Sequence, residues 1–229
     1  MRALAVVLAA LAIVPVAAAA NGKALFGRYC ASCHGPDAAG TEDGPSLVGV
    51  GALAADFYLR TGYMPLKRSG LQPRRSEHLL GPAEIDALIG YVASLGKGPA
   101  VPAPQPARGS VSEGMTLFRS HCAGCHQIVA QGGYVTNAVP PALGDATATQ
   151  VAEAVRIGPY VMPSFSERAI SNRQLDSIVR YVQYAQHPDN AGGWALGNIG
   201  PIPEGLVSWF VAGAALVGTC LIIGKRLRA

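Results

Sequence analysis

Two short segments of the sequence combine residue types that can attach and ligate a metal-containing ring. They are Cys30-Ala31-Ser32-Cys33-His34 and Cys122-Ala123-Gly124-Cys125-His126, and Cys-x-x-Cys-His is the attachment pattern of a c-type haem. Two thiols three positions apart on a helical turn can form thioethers to both vinyl groups of one porphyrin, which places the next histidine beneath the iron. We therefore predict two covalently bound haem c groups. The predicted attachment residues are Cys30, Cys33, Cys122 and Cys125, and the predicted proximal iron ligands are His34 and His126.

Cysteine pairs also occur in zinc sites and in redox-active dithiols. A zinc site could use all four cysteines, and a thioredoxin-like site could use either pair alone. Zinc sites do not require a histidine directly after the second cysteine of both pairs, and a thioredoxin motif expects a preceding strand that the sequence lacks. Both alternatives are therefore weaker than haem attachment.

The second axial ligand of each iron should come from beyond the attachment segment. Met64 and Met162 occur at matching points, and each is followed by proline. Because the residue before proline is disfavoured in helical geometry, each thioether should be presented from a loop. A methionine that fills a gap in the core is the alternative, but the paired placement favours Met64 and Met162 as distal ligands. His/Met ligation predicts raised reduction potentials relative to bis-His haem.

Three other histidines could compete as iron ligands, but none has a counterpart in the other half of the chain. They are His78, His121 and His187. We interpret all three as ordinary polar residues.

Pro45 and Pro141 follow the two attachment segments at similar distances. A backbone carbonyl there could accept the second imidazole N–H of His34 or His126, which would fix the tautomer of the ligand. A simple turn proline is the alternative.

The elements that position these residues are repeated in the sequence. Residues 22–34 align without gaps on residues 114–126, and the match continues in order through Pro45, the Met-Pro steps and residues 86–92. Self-similarity of this kind indicates two copies of one structural unit.

Each copy ends in an amphipathic helix. The first has Ile85, Leu88, Ile89 and Val92 at helical spacing, and the second has Leu175, Ile178, Val179 and Val182. Pro82 suits a first helical position, and Ser171 with Gln174 forms a plausible capping box. No long alternating run is present, so we predict a mainly α fold.

The fold class is thus two tandem helical haem domains followed by one C-terminal transmembrane helix. The predicted domains are residues 21–97 and 111–187, joined by the proline-rich linker 98–110, and a Gly/Pro-rich connector 188–205 leads to the transmembrane helix 206–224. Residues 206–223 carry no charge and, at ~1.5 Å per residue, cover most of a ~30 Å hydrocarbon core.

Residues 1–20 have a basic start, an apolar stretch and a small-residue end, and so predict an export signal peptide, with an uncleaved anchor as the alternative. Lys225, Arg226 and Arg228 follow the second apolar run, so the positive-inside rule places the tail 225–229 in the cytoplasm. The predicted location is the cell membrane, in a single pass, with both haem domains on the extracytoplasmic side.

The formal net charge of +4 is unevenly distributed. Four of the 18 basic residues lie in the predicted signal and tail, so the remainder equal the 14 acidic residues. The exported part is formally neutral, which argues against nucleic acid binding because that needs a clustered basic face.

Several stretches resemble the dihaem cytochrome c subunit of the bacterial menaquinol/ubiquinol-cytochrome c reductase, the cytochrome bcc complex. They are residues 44–51, 61–65, 158–165 and 193–205. The resemblance implies that electrons pass from quinol through a Rieske iron-sulfur protein to one haem, then the other, then a haem-copper terminal oxidase. It also implies a cytochrome b subunit as partner, while the chain itself has no visible catalytic site.

Three alternatives differ from this interpretation. A dihaem subunit of a terminal oxidase or another respiratory complex would have the same haem chemistry with other partners. A dihaem peroxidase would need an open iron position, whereas both predicted sites have a distal methionine. A haem-based sensor would need an output segment, and none is visible.

Overall fold

The structure is a computed structural model that describes residues 21–189 and 201–227. The predicted signal peptide, most of the predicted connector and Arg228 lie outside the described residues. The α-helices are α1 (Gly22–Tyr29), α2 (Ala31–His34), α3 (Gly51–Arg60), α4 (Pro82–Ser94), α5 (Val111–His121), α6 (Ala123–His126), α7 (Ala148–Ile157), α8 (Asn172–Gln186) and α9 (Pro201–Leu227). Within the two described ranges no β-strand is formed, and the predicted mainly α fold is confirmed.

The chain divides into two compact units between Val101 and Pro102. This point lies inside the proline-rich stretch 98–110, which also contains a single 3₁₀ turn at Pro106–Arg108. Proline fixes its own backbone and favours extended geometry in its neighbour, which explains why this stretch forms little regular structure.

The first unit is built on α4, which packs against α1 and α3. Ile85, Leu88 and Val92 are buried on one face of α4, and Ile89 packs at the edge of the same core. The predicted amphipathic face is therefore the one that the fold buries. Pro82 occupies the first turn of α4, where its missing N–H removes no helical hydrogen bond.

The second unit repeats this plan with α8 packed against α5 and α7. The predicted face of α8 is buried throughout, at Leu175, Ile178, Val179 and Val182. The predicted capping box is also formed: the Ser171 N–H donates to Gln174 Oε1 at 2.9 Å, and the Gln174 N–H donates to Ser171 Oγ at 3.3 Å.

The repeat in sequence is reproduced in the helix crossings. The Phe26 and Tyr91 rings of the first unit lie 5.3 Å apart at an interplanar angle of 51°, and the Phe118 and Tyr181 rings of the second unit have the same separation and angle. Beside each pair a glycine, Gly22 in the first unit and Gly114 in the second, meets the helix that carries the tyrosine. A Cβ at Gly22 would overlap the Ala87 carbonyl, which leaves no room for a side chain.

This close contact leads to a stability prediction. Gly22→Ala should lower the free energy of unfolding by about 1–3 kcal/mol, since an added methyl group in a tight helix crossing forces the helices apart. Gly27 is the matched control, because it lies on the same helix and a methyl group there would enter open space. Gly27→Ala should instead raise the free energy of unfolding by about 0.5–1 kcal/mol, because alanine is favoured over glycine inside a helix. Urea unfolding followed by circular dichroism measures both, and equal midpoints for the two variants would contradict the prediction.

The C-terminal helix α9 contains a long apolar segment. Gly205–Leu227 spans 23 residues, its most apolar 18-residue window has a mean hydropathy of 2.2, and no other helix of the described ranges is long and apolar enough to cross a membrane. At ~1.5 Å per residue it is about 35 Å long, which exceeds a ~30 Å hydrocarbon core. The helix fits a single membrane span, as predicted.

The start of α9 differs from the prediction. The sequence pattern predicts that residues 201–205 belong to the connector, whereas in the structure α9 begins at Pro201. Prolines are tolerated in a first helical turn, where the N–H groups have no intrahelical acceptor. Lys225 and Arg226 lie in the last turn of the helix, where cations interact favourably with the helix dipole.

Candidate haem-binding sites

The first attachment segment forms a tight helical turn. Helix α1 ends at Tyr29, Cys30 caps it, and α2 starts at the next residue. The Cys33 N–H and the His34 N–H both donate to the Cys30 carbonyl, at 3.1 and 3.0 Å. Two thiols and one imidazole are thereby carried on a single turn.

The second attachment segment has the same geometry. Helix α5 ends at His121, Cys122 caps it, and α6 follows. The Cys125 N–H and the His126 N–H donate to the Cys122 carbonyl at 3.1 and 2.9 Å. The structure therefore presents the two cysteine-histidine sets in the same way.

The thiols of both pairs are free and do not form disulfides. Burial raises the pKa of the Cys30 thiol to about 11, with a smaller contribution from Cys33, and burial likewise raises the pKa of Cys122 to about 11. Reactive dithiols instead have a lowered pKa, so the thioredoxin-like alternative is not supported. Across the described residues no group of three or more His, Cys, Asp or Glu side chains is placed to hold a metal ion.

Both histidines are oriented by a proline carbonyl. Nδ1 of His34 lies 2.8 Å from the Pro45 carbonyl oxygen, and Nδ1 of His126 lies 3.0 Å from that of Pro141. The predicted carbonyl acceptors are thereby confirmed. With Nδ1–H donating to oxygen, the tautomer leaves the Nε2 lone pair available to a metal.

His126 is also kept in its ligating form. Burial lowers the pKa of His126, and this effect exceeds the opposing hydrogen bond to Pro141. The neutral imidazole is the form that binds metals. Both observations fit a proximal ligand.

Met64 lies in the loop between α3 and α4 and is partly buried. Its N–H donates to the Tyr58 carbonyl at 3.0 Å, which fixes the loop to the end of α3. Later in the same loop, the Ser76 hydroxyl donates to the Gly62 carbonyl at 2.6 Å, which joins the second half of the loop to its start beside α3.

Met162 lies in the loop between α7 and α8 and packs against the core of the second unit. Its N–H donates to the Pro159 carbonyl at 3.0 Å. Gly158 caps α7, which ends at Ile157, and its positive φ of 64° turns the chain into this loop, a conformation that glycine adopts readily. Both methionines are thus presented from loops, as the Met-Pro steps predicted, while their ligation remains a prediction.

The donor set of each unit fits a covalently bound haem. Each unit contains two adjacent free thiols, an imidazole with Nε2 available and a thioether on a separate loop. The three competing histidines do not share this arrangement. His78 is exposed, the His121 ring contacts the Phe165 ring, and His187 caps the end of α8.

Sequence reasoning missed several residues that hold these segments. The Thr41 hydroxyl donates to the Cys33 carbonyl, and the Tyr181 hydroxyl donates to the Ile128 carbonyl, both at 2.5 Å. Arg156 binds the loop that contains Met162. In the sequence, Arg156 is one arginine near the end of a short segment that also contains Gln150 and Glu153, and this pattern does not identify its partners.

Comparison with protein families gives two matches, one in each half of the chain. Residues 19–96 match the family model described as Cytochrome c. Residues 109–182 match the model described as Cytochrome C oxidase, cbb3-type, subunit III.

Individual relatives resemble most of the chain. The cytochrome bc1 complex cytochrome c subunit of Mycobacterium tuberculosis is 39% identical over 216 residues, which is 90% of this chain and 77% of the relative. The subunit of the same name from Corynebacterium diphtheriae is 34% identical over 225 residues, covering 90% and 80%. The Cbb3-type cytochrome c oxidase subunit CcoP of Rhodobacter capsulatus is 30% identical over 187 residues, covering 70% and 60%.

Proposed function

Because this chain belongs to the family of cytochrome bc1 complex cytochrome c subunits, we propose that it passes electrons from a Rieske iron-sulfur protein through two haems to a terminal oxidase. Membership makes it a dihaem cytochrome c with a redox role in a bc1 complex, since its two cytochrome c domains carry covalently bound haem c. The observation that supports the proposed path most directly is the duplicated donor set, with one histidine in each unit oriented by a proline carbonyl.

We assign a role to each residue of the two sites. Cys30 and Cys33 attach the first haem and Cys122 and Cys125 the second, His34 and Met64 ligate the first iron, and His126 and Met162 ligate the second. Haem c supplies reversible one-electron chemistry when bound. The protein contributes the orientation of each imidazole and the loop that carries each thioether. The domain limits 21–97 and 111–187 stay predictions.

At the level of the complex, we infer that the chain is part of a quinol-cytochrome c reductase. Quinol oxidation belongs to its partners, because the chain offers electron carriers and no proposed catalytic residue. These partners are a cytochrome b subunit, a Rieske iron-sulfur subunit and a haem-copper terminal oxidase.

For the arrangement in the membrane, we propose that α9 spans the bilayer with its basic end in the cytoplasm. Lys225 and Arg226 lie at that end, and the positive-inside rule then places both haem domains on the extracytoplasmic side. A cleaved signal peptide over residues 1–20 agrees with this orientation.

A second candidate function has specific support. The match of residues 109–182 to a cbb3-type oxidase subunit and the similarity to CcoP favour a dihaem subunit of a terminal oxidase. The bc1 subunits are similar over a larger share of the chain, so the reductase remains the main proposal. A dihaem peroxidase is less well supported, because each unit has a methionine available to close the iron site.

Purification of the complex through the C-terminus separates these candidates. The full chain carrying a C-terminal tag is extracted in mild detergent, and the co-purifying subunits are identified by mass spectrometry. Recovery of cytochrome b and a Rieske protein is the expected result, with oxidase subunits also present if the complexes are joined. Recovery of oxidase subunits alone would contradict the proposed function and support the second candidate.

A further inference from the structure

Arg156 joins three points of the second unit around the loop that carries Met162. It lies in the last turn of α7 and is partly buried. Its Nη1 donates to the Phe165 carbonyl at 3.0 Å and to the Ile170 carbonyl at 2.8 Å. Its Nη2 donates to Asn172 Oδ1 at 2.8 Å. One guanidinium therefore links α7, the returning part of the loop and the first residue of α8.

The loop is also fixed to α7 by its own backbone. The Phe165 N–H donates to the Val155 carbonyl at 2.8 Å, one residue before Arg156. At the other end, a Cβ at Gly158 would come within 2.7 Å of the Met162 carbonyl oxygen, so the Met162 backbone lies directly against the end of α7. Phe165 therefore has both its N–H and its carbonyl bound to neighbouring residues of one helix, three positions after Met162.

The chemistry of the three bonds requires arginine. A guanidinium holds its donors in a rigid planar fork, and its charge makes each hydrogen bond stronger than a neutral one. A lysine ammonium has the same charge but only one nitrogen, which cannot reach acceptors on both sides of the fork. The contact is thus sensitive to geometry as well as to charge.

We propose that Arg156 is the positioning residue for the distal ligand of the second haem, holding the loop so that the Met162 thioether stays on the iron. The inference rests on the proposed ligation by Met162. Arg156 does not itself ligate the iron, because its donors are directed to carbonyl oxygens and an amide oxygen.

The first unit holds its methionine loop by other contacts. Arg60, at the end of α3, binds the carboxylates of Asp56 and Asp86. The Met64 loop is fixed by the Ser76 hydroxyl and by the Met64 N–H. A substitution of Arg156 should therefore affect one of the two haems, and the other serves as an internal reference.

The test uses Arg156→Lys in the full-length, haem-loaded chain in detergent. The readouts are the red-region thioether-to-iron charge-transfer band of the oxidised protein and a titration with imidazole, which competes with methionine for iron. We expect imidazole to bind one haem about tenfold more tightly than in the unchanged chain, the ratio that ~1.4 kcal/mol of lost loop stabilisation produces. Because lysine keeps the charge, a change of local electrostatics does not explain this result.

Arg180→Lys is the matched control. Arg180 lies in the same unit, and its Nη1 donates to the carbonyls of Ala107 and Gly109, outside the methionine loop. This variant should keep the band and the imidazole affinity of the unchanged chain. An equal gain of imidazole affinity in both variants would indicate general loosening of the domain and would overturn the inference.

Two further variants make the outcome decisive. Asn172→Ala removes one of the three acceptors of Arg156 and should raise the imidazole affinity by about threefold, which is less than the effect of Arg156→Lys. It replaces Arg156→Lys if that variant fails to incorporate two haems. Met162→Leu tests the ligation itself. If Met162→Leu loses about half the band while Arg156→Lys and Asn172→Ala keep the band and the imidazole affinity of the unchanged chain, the role of Arg156 is refuted and ligation by Met162 stands. An unchanged band in Met162→Leu would instead refute the proposed ligand.

Discussion

Replacing Cys122 and Cys125 together with alanine is expected to halve the covalently bound haem of the purified chain, from two groups to one. The thioether bonds require both thiols, which lie on one turn formed by hydrogen bonds from Cys125 and His126 to the Cys122 carbonyl. The loss should also stop electron delivery to the oxidase, because the proposed path runs through both haems in series. Haem content is measured from the pyridine haemochrome spectrum and the mass of the intact chain, and electron delivery from quinol-dependent oxygen uptake by the complex.

Two other cysteine variants provide the comparison. The Cys30→Ala, Cys33→Ala double variant should likewise retain one haem, because the first unit has the same geometry. Cys220→Ala should retain two haems and the full rate, because Cys220 lies exposed on α9 and belongs to neither attachment segment. Two covalent haems in either double variant would disprove the assigned attachment residues.

Replacing Met162 with histidine is expected to lower the reduction potential of one haem by on the order of a few tenths of a volt. Axial ligands set haem potentials over a range of ~0.8 V, and a thioether gives a higher potential than a second imidazole because it favours the reduced iron. For a one-electron couple, each ~59 mV changes the equilibrium tenfold. A fall of ~0.2 V would therefore disfavour reduction of that haem by roughly 2,500-fold. Spectroelectrochemical titration of the full-length chain measures both potentials.

The control for this prediction is another methionine of the same unit. Met115 is 43% exposed on α5, ahead of the attachment segment. Met115→His adds the same imidazole without replacing a proposed ligand, so both potentials should remain as they were. Met64→His should lower the other potential. If Met162→His leaves both potentials unchanged, Met162 is not the distal ligand.

Much of the fold could be predicted because it depends on local patterns. The apolar spacing at Leu175, Ile178 and Val182 identifies the buried face of α8, and the Ser171-Gln174 cap is formed by residues three positions apart. The repeat then allowed features of one half to be checked against the other. The carbonyl partners of His34 and His126 were predicted in this way.

Helices α3 and α7 were not predicted, although α7 begins with a capping box of the same kind. Thr147 and Gln150 exchange the same two hydrogen bonds as the cap of α8, and this Thr-x-x-Gln pattern is visible in the sequence. The contacts of Arg156 could not be found so easily. They join α7 to acceptors as far along the chain as Asn172, and such partners depend on how the helices pack. The contacts described for the two methionine loops differ, so one loop does not predict the contacts of the other.

The matching contacts beside Gly22 and Gly114 have a consequence for the history of the chain. Two domains that share one helix crossing, down to the angle between their aromatic rings, are the expected products of a tandem gene duplication. After such an event the two copies inherit the same framework and diverge most easily where the framework does not constrain them. The methionine loops are such places, since one is secured by a serine and the other by an arginine. Each copy could thus acquire its own electronic properties while its ancestral scaffold was retained.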